Sequence, residues 1–334
     1  MKKFLVIQTA SIGDVILATP VIECIHNNFP DAQIDFVIKK GMESLFVEHP
    51  FLNQLWVWDK KNGKYKQLHK LISGIRKVGY DYVINLQRFL SSGLITGFSK
   101  AKVKHGFQKN PLSFLLNKSF PHHIGVEGKY IHEIDRNLQL LNGVCVDLQA
   151  NIKLYPTKEN YKKTEQFKKQ TYICLAPTSL WYTKQFPEER WIEFLKKCPK
   201  DLVVYFLGAN GDIPICRKII SASGHKNCHN LAGQLNLLES ASLMKDAKMN
   251  FVNDSAPQHL ASAMNAPTTA IFCSTVPEFG FGPLSKDSKI IQIKEKLDCR
   301  PCGLHGYREC PKGHFKCAKD IDIKDLTSRI CTKK

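Results

Sequence analysis

The chain reads as an α/β protein made of two tandem parallel-sheet domains, and three observations predict it. Short apolar runs alternate with longer segments of helical spacing, first over residues 1–90 and again from Tyr172 onward. A polar, lysine-rich stretch over residues 151–170, carrying Pro156, separates the two blocks. The length of 334 residues exceeds one comfortable core and suits two, and 43% hydrophobic with 23% charged residues is ordinary for a globular protein. The predicted domains are residues 1–160 and 161–334.

In the first block, residues 4–9 form an apolar strand, and residues 14–29 a helix with Val15, Ala18, Ile22 and Ile25 along one face. Residues 34–38, 55–58 and 82–86 are the next strands, with a helix at 65–77 before the last. Such alternation argues for a parallel sheet covered by helices on both faces. Residues 91–121 are rich in glycine, lysine and serine and read as surface loops over a binding edge. In the second block, strands fall at 172–176, 202–207, 249–253, 268–272 and 289–293, and helices at 187–197, 214–223, 237–245 and 257–264. The two sheet domains are expected to face each other across a cleft.

No stretch is apolar for long enough to span a membrane. Met1-Lys2-Lys3 before an apolar run mimics a signal peptide, but the run is short and Asp14 soon interrupts it with a charge, so a cytoplasmic chain is expected. The net charge of +18 favours an anionic partner. Residues 39–118 hold 15 Lys or Arg against 4 Asp or Glu and supply +11 of it. No helix-turn-helix, RRM, KH or finger signature accompanies that charge, which disfavours nucleic acid and leaves a phospholipid surface or a solvated lysine-rich face.

Of twelve cysteines, eight are scattered singly and are expected reduced and buried. The other four, Cys299-x2-Cys302-x7-Cys310-x6-Cys317, enclose His305 and His314. This matches metal-ligand spacing loosely, since a zinc ribbon has a second CxxC pair. Structural zinc, free thiols and disulfides formed in air are the competing readings.

Three polar turns come after predicted strands, where open parallel sheets bind ligands. The richest is Asn253-Asp254-Ser255-Ala256-Pro257-Gln258-His259, ahead of a helix started by Pro257; a ligand there would meet free backbone N–H groups, a carboxylate, a hydroxyl and an imidazole. The plain alternative is an N-cap. Thr178, Ser179, Thr183 and Lys184 precede the helix at 187–197, and a lysine among hydroxyls suits a phosphate. Gly208-Ala209-Asn210-Gly211-Asp212 is the third. In the first block, Ser11-Ile12-Gly13-Asp14 lacks the glycines of a dinucleotide-binding turn, and no P-loop is present. Gly13 allows close approach, and Asp14, opening a helix whose positive end is expected to keep it ionised, suits a general base. Asp320-Ile321-Asp322 reads as a helix cap rather than a metal motif.

Ser11-Ile12-Gly13-Asp14 with Ala18-Thr19-Pro20, Thr183-Lys184-x-Phe186-Pro187-x-x-x-Trp191, and Asn253-Asp254-Ser255-x-x-x-His259 together resemble the heptosyltransferase family, glycosyltransferase family 9, over residues 3–326. The cysteine cluster also resembles one in members of that family. The resemblance implies a GT-B architecture, an acceptor domain followed by a nucleotide-sugar domain. It implies an inverting transfer of heptose from ADP-heptose to the inner core of lipopolysaccharide, with no cofactor or metal needed for catalysis. Asp14 matches the catalytic base, Lys184 the donor-phosphate lysine, and Asp254, Ser255, Ala256, Pro257 and His259 the loop for donor sugar and diphosphate. Gly13, Thr178, Ser179 and Thr183 join the donor set, and Asp212, or else Asn210, would meet the ribose. The acceptor, a lipopolysaccharide core on lipid A, would meet the basic stretch, with Lys60, Lys64 and Arg88 as candidates, at the inner face of the inner membrane. A family member using another nucleotide sugar and a non-catalytic module for anionic lipid are the alternatives.

Overall fold

The computed structural model describes residues 1–125 and 130–331. The chain divides into two compact units, residues 1–125 with 131–155, and residues 126–130 with 156–334. Each is built on a six-stranded parallel sheet.

The strands of the first unit are β1 (Lys3–Ile7), β2 (Gln33–Lys39), β3 (Leu52–Trp58), β4 (Tyr82–Asn85), β5 (Val103–Phe107) and β6 (Lys118–Phe120), in the spatial order β3-β2-β1-β4-β5-β6. Its helices are α1 (Ile12–Ile16), α2 (Thr19–Asn28), α3 (Lys64–Val78), α4 (Leu90–Phe98) and α5 (Glu133–Leu138). Phe4 to Ile7 of β1 are wholly buried, as expected of a central strand covered on both faces. Leu5, Ile7, Val37, Val83 and Ile95 pack with Leu68, Leu71 and Ile75, the inward face of α3.

The second unit repeats the plan with β7 (Tyr172–Ala176), β8 (Val203–Phe206), β9 (Cys228–Asn230), β10 (Met249–Asn253), β11 (Thr268–Phe272) and β12 (Ser288–Gln292), ordered β12-β11-β10-β7-β8-β9. Its helices are α6 (Lys158–Glu165), α7 (Glu188–Lys197), α8 (Ile213–Ser223), α9 (Leu237–Asp246), α10 (Ala256–Ala263), α11 (Lys316–Lys319) and α12 (Ile323–Cys331). Phe186, Trp191, Phe194 and Phe251 fill its core, so the aromatic members of the Lys184 motif are packing residues.

In both units the first strand lies mid-sheet, the second and third extend one way, and the fourth returns to the other side of the first. The strand order therefore reverses between β1 and β4, and again between β7 and β10. The loops leaving the carboxyl ends of such a pair diverge and open a crevice.

The structure corrects three expectations. The helix foreseen at 14–29 is two helices, because Pro20 has no N–H to continue the ladder; the Thr19 hydroxyl instead donates to the Ile16 carbonyl at 2.9 Å. Residues 91–121 are not surface loops but carry most of α4, with β5 and β6. Their glycines are contact points: a Cβ at Gly93 or Gly97 would collide with Asn110 or Leu115. Strand β9, three residues with no apolar alternation, was not foreseen. Among the described residues no helix is long and apolar enough to cross a membrane.

Candidate functional site

The polar turns of the second unit fall at the carboxyl ends of β7, β8 and β10, two of them flanking the strand-order reversal. Asn253, buried at the end of β10, ties those two together. Its Oδ1 accepts from the Phe186 N–H at 2.9 Å, and its Nδ2 donates to the Pro177 carbonyl at 2.8 Å. That staple brings Lys184 onto Asp254, with Nζ 2.7 Å from Oδ2. Thr275, after β11, donates its hydroxyl to the same oxygen at 2.7 Å. Asp254 is thus a buried carboxylate paired with one ammonium and hydrogen-bonded by one hydroxyl.

Helix α10 begins directly after this pair. Ser255 is its N-cap in extended conformation, but its side chain caps no amide; Pro257 lies in the first turn. The Asp254–Ser255 turn is therefore not the simple side-chain cap that was its plain alternative. Pro257 has no N–H and the Gln258 N–H donates to the Ser255 carbonyl at 3.0 Å, so the N–H groups of Ser255 and Ala256 are the ones that keep a capacity for an anion. His259 is buried one turn along.

Thr183 is buried and braces the turn. Its hydroxyl accepts from the Tyr307 N–H at 2.8 Å and from Ser274 Oγ at 3.0 Å, and its own N–H donates to the Tyr307 carbonyl at 3.1 Å. Gly306, with φ +78°, makes this approach feasible, since a Cβ there would stand 2.9 Å from Thr183 Oγ1 and 3.0 Å from Lys184 Cγ. Thr183 positions Lys184 through these bonds. Thr178 and Ser179 remain half-buried at the end of β7, and the Ser179 carbonyl accepts from Gln185 Nε2 at 2.6 Å. Asp212 turns inward on its own loop, its Oδ2 accepting from the Ala209 N–H at 2.7 Å.

Residues 299–317 leave the sheet and return over this turn. Cys302 donates its N–H to the Ser274 carbonyl at 2.8 Å, and Arg300 donates to the carbonyls of Cys273 and Thr275, each at 2.7 Å. The four late cysteines lie within electrostatic reach of one another; Cys299 Sγ is 3.7 Å from His314 Nε2, Cys302 Sγ donates to the Cys299 carbonyl at 3.1 Å, and Cys317 is buried in the core. Among the described residues no three His, Cys, Asp or Glu side chains are grouped to hold a metal ion. Of the scattered cysteines, Cys24, Cys145, Cys174, Cys216 and Cys273 are free and buried, Cys198 is buried, and Cys228, expected buried, is only half-buried. Asp322 caps α12 through the Lys324 N–H at 2.9 Å.

In the first unit, Asp14 stands at the reversal point beside the end of β1. Ser11 donates its N–H and its hydroxyl to Asp14 Oδ2 at 3.0 and 2.5 Å, closing a capping box around buried Gly13. A helix end is not the dominant influence on the Asp14 carboxyl. Helix α1 is only five residues long, and burial, reinforced by the Glu133 charge, outweighs the Ser11 bonds and Arg88 and pushes the carboxyl above its ordinary value.

Around it lies a cluster that no motif announced. Arg88 Nη1 is 3.4 Å from His122 Nδ1, His122 Nε2 is 3.6 Å from Glu133, and Arg136 Nε is 2.7 Å from the same carboxylate. Burial works to raise the Glu133 carboxyl, but His122 and Arg136 outweigh it and hold it below its ordinary value. Lys60 Nζ donates to the Thr9 carbonyl at 2.6 Å, just past β1, and burial, with Lys39 and Lys64, pulls the ammonium down to about 8. Arg88 and Lys60 are thus placed by the Asp14 turn, whereas Lys64 sits exposed at the start of α3.

The model of glycosyltransferase family 9 (heptosyltransferase) matches residues 68–308. The chain belongs to glycosyltransferase family 9. Lipopolysaccharide heptosyltransferase 3 of Escherichia coli K12 is 26% identical over 280 residues, 79% of this chain and 80% of that one. Lipooligosaccharide heptosyltransferase 2 of Campylobacter jejuni serotype O:2 is 24% identical, over 96% of this chain and 94% of its own. Among solved structures, that of E. coli ADP-heptose lps heptosyltransferase II superposes with a TM-score of 0.79 at 20% identity, covering 99% of this chain and 97% of that one. The two-unit α/β fold of this family 9 glycosyltransferase is thus that of the GT-B heptosyltransferases.

Proposed function

We propose that this glycosyltransferase moves a heptose from ADP-heptose to the inner core of lipopolysaccharide with inversion at the anomeric carbon. The names of the relatives support the sugar and the pathway, since they are lipopolysaccharide or lipooligosaccharide heptosyltransferases. The second unit binds the donor. Lys184 and the amides opening α10 meet the diphosphate, Asp254 and His259 orient the sugar, and Thr178, Ser179 and Asp212 complete the nucleotide contacts. As the bond to C1 breaks, negative charge grows on the diphosphate, and fixed N–H dipoles with one ammonium stabilise it without reorganising.

The first unit supplies the base. Asp14 takes the proton of the acceptor hydroxyl as that oxygen attacks C1, and ADP leaves from the opposite face. The observation that carries this assignment is the contrast in partners: Asp254 has an ammonium at 2.7 Å, while Asp14 has the Ser11 hydroxyl and amide and a carboxyl raised by burial. A carboxylate that gains by accepting a proton is what base catalysis needs. Arg88 and Lys60 meet anionic groups of the acceptor, and catalysis needs no metal. The enzyme works at the inner face of the inner membrane, where that acceptor is embedded.

The test is to incubate the purified protein with ADP-, GDP- and UDP-sugars and a heptose-deficient core acceptor, and to measure nucleotide release and product mass. ADP-heptose is expected to be consumed with one heptose added. Turnover of a different nucleotide sugar alone would replace the donor assignment while keeping the chemistry.

A further inference from the structure

Helix α3 has two faces of opposite character. Leu68, Leu71 and Ile75 pack on the sheet, whereas Tyr65, His69, Ser73 and Arg76, spaced at helical intervals, face outward. Beside it α4 presents Leu90, Leu94 and Phe98, one turn apart, on a different face from the Gly93 and Gly97 contacts. An open groove of about 630 Å³ runs between the two helices, lined by Leu68, Ile72, Leu94 and Phe98. Tyr65, Arg76, Lys77 and Lys100 stand along its walls. Tyr65 is 78% exposed and Phe98 50%, so large apolar groups lie open to water here.

The charge around the groove has one sign. Neither α3 nor α4 contains an acidic residue, while α3 carries Lys64, Lys66, Lys70, Arg76 and Lys77, and Lys100 comes just after α4. The nearest acids along the chain, Asp59 and Asp81, are taken by Lys40 and Lys102 at 2.9 and 2.8 Å. An occupant must therefore be both anionic and apolar. A tyrosine and a phenylalanine ringed by long cations is the arrangement that sits at a headgroup boundary, rings below and ammonium groups among the phosphates. Single-stranded nucleic acid fits less well, because the groove floor is mainly aliphatic and offers no row of flat rings for stacked bases.

We propose that the α3–α4 groove is the face by which this protein docks on an anionic bilayer. The proposal rests on the reading of the protein as a membrane-surface transferase and locates the contact. Neither the Asp14 turn nor the Lys184 turn contributes a residue to the groove, so docking and chemistry are separable by mutation.

Flotation of the full chain with phosphatidylcholine vesicles, and with equimolar phosphatidylcholine and phosphatidylglycerol, tests it. Binding to the anionic vesicles alone is expected, weakening as salt is added. Lys77→Glu with Lys100→Glu should weaken that binding about tenfold or more. Tyr65→Ser with Phe98→Ser should remove the part that survives high salt. Both pairs are exposed and should leave the melting temperature and the transfer to detergent-dispersed acceptor unchanged. Wild-type flotation by both variants, or displacement of the vesicles by single-stranded RNA, would overturn the proposal. Absence of any transfer in detergent, with flotation as expected, would sink the transferase reading and leave the docking face standing.

Discussion

The reversal point of the first sheet and that of the second share a strand order and differ in what stands there. Between β7 and β10 a buried carboxylate, Asp254, is matched by Lys184 and Thr275 and flanked by the start of α10. Between β1 and β4 the carboxylate of Asp14 is held by Ser11 alone in its own turn and raised by burial. One wiring thus carries two electrostatic settings. The crevice comes from topology, and the different setting of each carboxylate comes from whether the sequence supplies a cation beside it.

The sharpest way to break this comparison is to make the two acids inert in turn. Asp14→Asn should lower kcat about a thousandfold, within the usual range for losing a general base, while ADP affinity measured by calorimetry stays unchanged. The same variant should be more stable than wild type at neutral pH. A raised folded-state value means the protonated form is favoured by the fold, so wild-type stability falls as pH climbs through that value, and an amide escapes the loss. Full activity in Asp14→Asn would end the contrast between the two turns.

Lys184→Met should weaken ADP-sugar binding by about two orders of magnitude and cost about 3 kcal/mol of stability, because Asp254 is left buried and uncompensated. Adding Asp254→Asn should restore the melting temperature but not donor affinity. Rescue of both would mean that Lys184 serves only its carboxylate partner. Gly306→Ala forces a side chain into a left-handed backbone and against Thr183 and Lys184, so a loss of about 1–2 kcal/mol and a higher donor KM are expected, with kcat little changed. The smallest effect is in the first unit. Ser11→Ala removes a bond that lowers the Asp14 carboxyl, so the acidic limb of the rate profile should move to higher pH. An unmoved limb would show that another group titrates there.

Much of this was legible in the chain and some was not, for physical reasons that particular residues illustrate. The central strands announce themselves because both faces are buried, as in Phe4 to Ile7 and Tyr172 to Ala176. Once those are placed, the turns just beyond them, with Asp14, Lys184 and Asp254, are at sheet ends by necessity. The edge strand β9, Cys228-His229-Asn230, has no such signature. Gly93 and Gly97 suggested loop when their role is to let residues 110–115 press on a helix. Arg88 alone of the Arg88–His122–Glu133–Arg136 cluster was a candidate, because it, His122 and the α5 pair Glu133–Arg136 come from three segments that only tertiary packing brings together. Ser274 and Thr275 were within reach, since they come after β11 as a fourth polar turn at the same sheet edge.

The brace that Tyr307, Gly306 and Arg300 form around Thr183 and Ser274 has a consequence for the order in which the protein is made. Asp14 and every neighbour named for it lie at or before Arg136, so that turn can be completed while the ribosome is still at work on the rest. The Lys184 turn emerges before the chain is two-thirds made, yet its bracing is incomplete until residues 300–307 arrive. A nascent chain would therefore complete the Asp14 turn well before the Lys184 turn.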